Sequence, residues 1–275
     1  MGQRKPTCGQ CEESKVCSCP FSHYQRYLPI TSNYQLPDPW EGSTITILGS
    51  SGVNATHQRI IYRCQECTSW LGGSGGINLT GEQLFGWALN PNIKPDNPSN
   101  PNSGLTQHGR VGLWSLNVGN AHSSLYSVYL YQLQNTPLLG GGTTTTTTTT
   151  STIATTTTST TSTRTSTTIT SPTSTPTQGT GPLASQWCDG YTYICFWRHY
   201  DASIDTAWGY LFPSTWSDEF IGIFVAPITS GWVGASLGGS MLENPLVLGW
   251  VDSTNNLQVS VRRATYVLSF FLQRL

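Results

Sequence analysis

Residues 143–177 are almost entirely threonine and serine, opening TTTTTTTTSTIATTTTSTTSTRTS and closing SPTSTPTQ. A tract of this composition cannot bury enough apolar surface to offset the entropy of ordering it. It reads as a disordered linker, and it divides the chain into two pieces that must each be read for their own elements. A Ser/Thr-rich stretch with proline also has the composition of an O-glycosylated stalk, which places the chain outside the cell. Two N-glycosylation acceptor motifs, Asn54-Ala-Thr56 and Asn78-Leu-Thr80, agree with that compartment. So do the eight cysteines. The first residues, MGQRKPTCGQCEESKVCSCPF, lack the apolar core of a signal peptide. For a secreted, extracellular protein the expectation is that the true start lies outside this sequence.

Composition narrows the class. Charged residues make up 10% and the net charge is −1, which provides no electrostatic footprint for nucleic acid. No apolar run reaches the ~20 residues of a membrane span. Aromatics reach 11%, with ten Trp, and glycine and proline are plentiful, the profile of a β-rich domain. In the first piece, strand-like runs lie at 43–48, 58–63, 83–89 and 111–117. In the second they lie at 207–212, 220–225, 232–237, 246–251 and 257–262, separated by Pro213, Gly231, Gly238-Gly239 and Asn255-Asn256. Long amphipathic helices are not expected. Residues 90–104, with Pro91, Pro95, Pro98 and Pro101, read as a long surface loop. Short strands at this spacing predict an all-β, immunoglobulin-like antiparallel β-sandwich.

The residues suited to chemistry are few. Met241 follows a strand and two glycines that permit close approach of backbone or of a flat ligand. It is either a core filler or a thioether ligand for a soft metal. His108 stands where the Pro-rich loop meets a strand, as a surface residue or a metal ligand. The five histidines form no zinc-binding spacing. Cys64 and Cys67 form a CxxC at a strand end, readable as a redox pair, half a zinc site or a structural disulfide, the last being preferred. Cys188 and Cys195 flank an Asp-Gly turn and are placed to bridge a hairpin. Cys8, Cys11, Cys17 and Cys19 are too irregular for a regular zinc site and read as part of a leader of separate origin, residues 1–26. Motifs for dinucleotide binding, a nucleophile elbow and a P-loop are absent.

Two stretches carry a resemblance. Phe220–Ile228 (FIGIFVAPI), Trp232–Met241 (WVGASLGGSM) and Val259–Tyr266 resemble the N-terminal half of the cytochrome domain of fungal cellobiose dehydrogenase. Asn54–His57, Arg63–Trp70 (RCQECTSW), Leu84–Ala88, Gln107-His108 and Ala121-His122 resemble its C-terminal half. The resemblance implies a DOMON-like, iron-reductase-type β-sandwich holding heme b between a methionine and a histidine, here Met241 and His108. It implies the Cys64–Cys67 disulfide and a tyrosine, Tyr266, beside the heme. Trp87, Phe85, Trp232 and Leu237 would supply the apolar surround. Two departures stand out: Ala264-Thr-Tyr266 is one residue shorter than the family's Ala-Thr-Gly-Tyr, and Val111 replaces an aromatic. A histidine and a methionine leave iron no open position, which suits electron transfer, and the thioether favours the ferrous state.

The halves stand in reversed order, residues 27–142 before the linker 143–183 and residues 184–275 after it. Either the chain is a circular permutant that closes one sandwich, or it joins two truncated cytochrome sequences. The expected function is relay of single electrons from a flavin dehydrogenase to a lytic polysaccharide monooxygenase or ferric iron, with cellulose or another carbohydrate as a further partner. The alternatives are a heme-free DOMON-like module that binds carbohydrate or serves the cell wall, or a fragment without function.

Overall fold

The computed structural model describes residues 36–137 and 181–265. The four N-terminal cysteines, the whole threonine tract and Tyr266 lie outside the described residues. The elements in chain order are β1 (Asp38–Pro39), β2 (Thr44–Ile47), β3 (Gly52–Val53), β4 (His57–Gln65), β5 (Glu82–Asn90), β6 (Arg110–Asn117), a 3-10 turn (Val118–Ala121), β7 (His122–Ser123) and helix α1 (Tyr126–Asn135). After the tract come β8 (Ser185–Cys188), β9 (Cys195–Asp201), β10 (Thr206–Pro213), β11 (Phe220–Pro227), β12 (Trp232–Ser236), β13 (Pro245–Val251) and β14 (Leu257–Arg263). All nine runs expected as strands are strands.

The strands form two sheets. One runs β1-β14-β13-β12-β5-β6; the other runs β2-β4-β11-β10-β9-β8, with β3 beside β4 and β7 beside β10. Each sheet is built from both pieces. β4 pairs antiparallel with β11 from Cys64↔Phe220 to His57↔Pro227. β5 pairs with β12 from Gly86↔Ser236 to Asn90↔Trp232. The described strands on the two sides of the tract therefore complete one sandwich, and the interior edges that each piece would expose alone are paired.

The pleat decides what each residue faces. Along β5, Phe85, Trp87 and Leu89 enter the space between the sheets, where Ile60, Tyr62, Trp114, Trp208, Tyr210, Phe224, Val233 and Val247 join them. Rings interlock across this space: Trp87 stacks on Trp208 with centroids 4.9 Å apart, and Phe85 meets Tyr210 at 4.6 Å. Trp208 Nε1 donates to the Gly234 carbonyl at 3.0 Å, so the indole N–H is satisfied inside the core.

The outer face of the second sheet is also covered. Ile61, Leu211, Ile221 and Ile223 pack there with Tyr126 and Leu133 of α1. Burial on both faces is why FIGIFV in β11 is an unbroken apolar run rather than an alternating one. Helix α1 was not expected from sequence. Its stripe, Tyr126, Tyr129, Leu130 and Leu133, has i, i+3, i+4, i+7 spacing, but its tyrosines and valine gave the segment the composition of a strand.

Disulfides join Cys64 to Cys67 and Cys188 to Cys195, the second closing the β8–β9 hairpin. Among the described residues no helix is long and apolar enough to cross a membrane.

Candidate functional site

Among the described residues no helix covers the outer face of the first sheet. Side chains on alternate positions there are small in the middle: Gly86 and Ala88 on β5, Gly234 and Ser236 on β12. Larger apolar residues flank them, with Val111 and Leu113 on β6 and Leu246 and Leu248 on β13. A cavity of about 290 Å³ lies over this floor. The loop at 91–109 closes one end with Leu105, Thr106, Gln107 and His108, and the loop at 237–244 brings Gly239, Ser240 and Met241. His108 and Met241 thus border one cavity, although the threonine tract separates them in sequence. Val111 (56% exposed) and Leu113 (42%) keep apolar surface open at its mouth. Among the described residues that line it, none is Asp, Glu, Lys or Arg, and His108 carries the titratable side chain.

Each of these two residues is fixed by a buried asparagine. Asn90, at the end of β5, donates from Nδ2 to the Gln107 carbonyl at 2.9 Å, while its Oδ1 accepts from the Asn92 and Ile93 amides. On the other side of His108, the Gly109 amide donates to Leu89 O at 2.9 Å. Asn244 does the same for the second loop. Its Nδ2 donates to the carbonyls of Ser240 and Leu242, both at 3.1 Å, which flank Met241. Its Oδ1 accepts from Trp70 Nε1 and from the Ser74 amide and hydroxyl. That loop turns through Gly239 at φ +78°, a left-handed conformation that favours glycine. Ser236 Oγ also bonds Ser240 O.

The structure sorts the remaining expected site residues. Trp232 lines the cavity and packs with Leu105, Leu248 and Trp250. Trp87 borders both the cavity and the core: Gly112 opposite it lacks a side chain, and its ring occupies the place a Cβ there would take. Phe85 and Leu237 are corrections. Both are fully buried in the inter-sheet core and do not line the cavity. For Phe85 the reason is the pleat, since its neighbour Gly86 takes the cavity side. His122 belongs elsewhere, with Nε2 2.8 Å from Leu79 O and Nδ1 against Pro213 O. Asn54 and Asn78 are exposed. Asn90, Asn244 and the small-residue floor were not singled out from sequence. Their signal was the alternation Phe-Gly-Trp-Ala-Leu, large residues on one face and small on the other.

A coordinating role for the cavity has a clear limit. Among the described residues no cluster of three or more His, Cys, Asp or Glu can hold a metal ion. A thioether and an imidazole supply two ligands at most, so any metal held here must bring its remaining ligands with it. The flat glycine floor and apolar walls fit a planar carrier of that kind.

The chain is 49% identical over 110 residues to a pyrroloquinoline quinone-dependent pyranose dehydrogenase of Coprinopsis cinerea and to the same-named protein of its strain Okayama-7. The match takes in 40% of this chain and 15% of each relative, so the chain spans a small part of their length. A crystal structure of the cytochrome b domain of pyranose dehydrogenase from Coprinopsis cinerea is 50% identical, over 40% of this chain and 56% of that one, with a TM-score of 0.38. The family model for the cytochrome domain of cellobiose dehydrogenase matches residues 28–128 and 187–269. With both segments of the sandwich matched, the chain belongs to the cytochrome-domain family of cellobiose dehydrogenase.

Proposed function

We propose that this protein is a b-type cytochrome that relays single electrons, and that Met241 and His108 are the residues that would hold heme iron. The observation that carries the reading is that these two residues border one apolar cavity from two loops. A heme b would supply reversible one-electron chemistry at iron. The protein's own contribution is positional and dielectric. Asn90 and Asn244 hold the ligand-bearing backbones, so little motion is needed on loading. Leu105, Leu113, Trp232, Leu246 and Leu248 exclude water and lower the local dielectric. The thioether of Met241 favours the ferrous state. Apolar surface at Val111 and Leu113 provides an edge where a redox partner can approach.

The family and its relatives support a partner class. The electron donor is a sugar-oxidising dehydrogenase, flavin-dependent as in cellobiose dehydrogenase or quinone-dependent as the named Coprinopsis proteins are. A lytic polysaccharide monooxygenase or ferric iron accepts the electron. Two disulfides and two exposed glycosylation acceptors support an extracellular setting.

The test is the absorption spectrum of the full chain supplied with hemin. Sharp reduced α and β bands are expected, lost in both Met241→Ala and His108→Ala while far-ultraviolet circular dichroism is retained. A spectrum indifferent to both substitutions would sink the assignment and favour a heme-free module.

A further inference from the structure

A second cavity, of about 350 Å³, shares no lining residue with the first. It is lined by Leu79, Thr80, Gly119, His122, Ser214 and Trp216. Two of these are the second and third residues of the acceptor motif Asn78-Leu79-Thr80. A third, Trp216, is 81% exposed. The wall is built from both pieces of the chain, and it is pinned. His122 bridges the pieces, with Nε2 2.8 Å from Leu79 O and Nδ1 against Pro213 O. Beyond Trp216, Thr68 Oγ1 donates to Ser217 O at 3.2 Å and the Cys67 amide donates to Asp218 O at 2.9 Å. The loop is therefore anchored before and after Trp216. A ring already held in place loses little freedom when a ligand stacks on it.

Asn78, next to this wall, is exposed and oriented. Its Oδ1 accepts from the Thr80 amide and hydroxyl, both at 3.4 Å, and its Nδ2 donates to Glu82 O at 3.4 Å. Gly81 leaves room beside that nitrogen, since a Cβ there would come within 2.8 Å of Nδ2. N-glycosylation displaces pyrophosphate from the anomeric carbon of a lipid-linked sugar. The N–C bond forms, the C–O bond to pyrophosphate breaks, and Nδ2 gives up one proton. Its second N–H remains, so the bond to Glu82 O survives and still orients the amide.

Resting on the extracellular reading, we infer that Asn78 carries an N-glycan whose first sugars lie in this cavity against Trp216. One face of a pyranose ring presents C–H groups, which meet the negative face of the indole. Thr80 and Ser214 supply hydroxyls for the polar rim of the sugar. The occupant is tethered to the wall itself, so its effective concentration is high even if the stacking is weak. Asn54 differs. Its Oδ1 accepts from the amides of Thr56 and His57 and from the Thr56 hydroxyl, and its motif lines neither of the two cavities. A glycan there has no such seat, which makes Asn54 the internal control.

The experiment uses the full chain directed into the secretory pathway of a eukaryotic host, with glycan occupancy read by peptide mass spectrometry. Oxidation of Trp216 by N-bromosuccinimide should run roughly fivefold slower in the glycosylated protein than in Asn78→Gln. Thr80→Ala, which keeps Asn78 but destroys the motif, should match Asn78→Gln, and Thr80→Ser should match the wild type. Asn54→Gln should leave the protection of Trp216 unchanged. Asn78→Gln should lower the thermal midpoint by about 2–4 °C, and in a Trp216→Ala background the same change should have no effect. Equal oxidation of Trp216 with and without the glycan, or additive shifts in that pair, overturns the inference. So does protection that persists in Asn78→Gln, whether another part of the chain or a bound carbohydrate provides it. Glycans on Asn54 or the threonine tract with Asn78 bare overturn this inference alone. A chain that emerges with no glycan at all brings down the extracellular reading with it.

Discussion

Asn244 grips the backbone on both sides of Met241, donating to the carbonyls of Ser240 and Leu242 from one amide nitrogen. The same side chain accepts from Trp70 and Ser74, which precede the threonine tract. The loop that presents Met241 is thus shaped by residues from both pieces of the chain.

Asn244→Ala should therefore act on the site more than on the fold. The Trp70 indole and the Ser74 amide lose their acceptor, at about 1–3 kcal/mol for each group left buried and unpaired, while the Ser240 carbonyl keeps Ser236 Oγ. The expected result is weaker hemin retention and broadened reduced bands, with Met241 and His108 still present. Absorption titration with hemin, set beside urea unfolding, separates the two effects.

Enlarging the floor should block the cavity while the sandwich survives. A Cβ at Gly234 would meet the side chain of Leu248, which would have to move into the cavity. Gly234→Val should cost about 1–3 kcal/mol of stability through overpacking. It should reduce hemin binding by far more than it reduces the thermal midpoint, which calorimetry and titration will show.

Arg59 and Asp189 form an ion pair at 3.0 Å across the tract, with side chains only 12% and 8% exposed. Burial lowers the Arg59 pKa, the first of its causes, and Asp189 partly restores it. Asp189 also accepts from the Thr192 amide and hydroxyl. Asp189→Ala should cost about 3–5 kcal/mol, because it strands a buried cation. Arg59→Met should cost less, since Asp189 keeps its turn bonds. Equilibrium unfolding in urea ranks the two, and the reverse order would contradict this account.

Stability should fall as the solution is acidified. His199 lies between Trp114 and Trp208, and burial lowers its pKa below the usual histidine value, with Asp201 opposing. The folded state thus resists a proton that the unfolded chain accepts near pH 6.5, so stability is lost below that pH until the folded group also titrates. Asp201 has a lowered pKa, chiefly from its Ser203 hydrogen bond, and Asp205 from Tyr200. Both add a further loss of the same sign below about pH 4. His199→Gln should flatten the upper step and leave the lower one, as urea midpoints measured against pH will show.

Much of this was legible in the chain itself. Period-two alternation, turn residues and aromatic content located the strands, because each depends on neighbours two to four positions away. Trp232 and Met241 stand in WVGASLGGSM, Trp87 in Leu84–Ala88 and His108 in Gln107-His108, the stretches that carried the resemblance, and all four border the cavity. Phe85 was misassigned because a motif does not say which side of the pleat a residue takes, and α1 was missed because its helical stripe is written in strand-forming residues.

The sequence by itself determined a β-rich chain, two segments with complementary patterns, and a candidate ligand pair divided by a threonine tract. Only the tertiary structure decided that the segments share their sheets, with β4 on β11 and β5 on β12. It alone placed Met241 and His108 on one cavity. Pairing between strands so distant along the chain is set by packing and register across the whole sandwich, information that no local window of sequence contains.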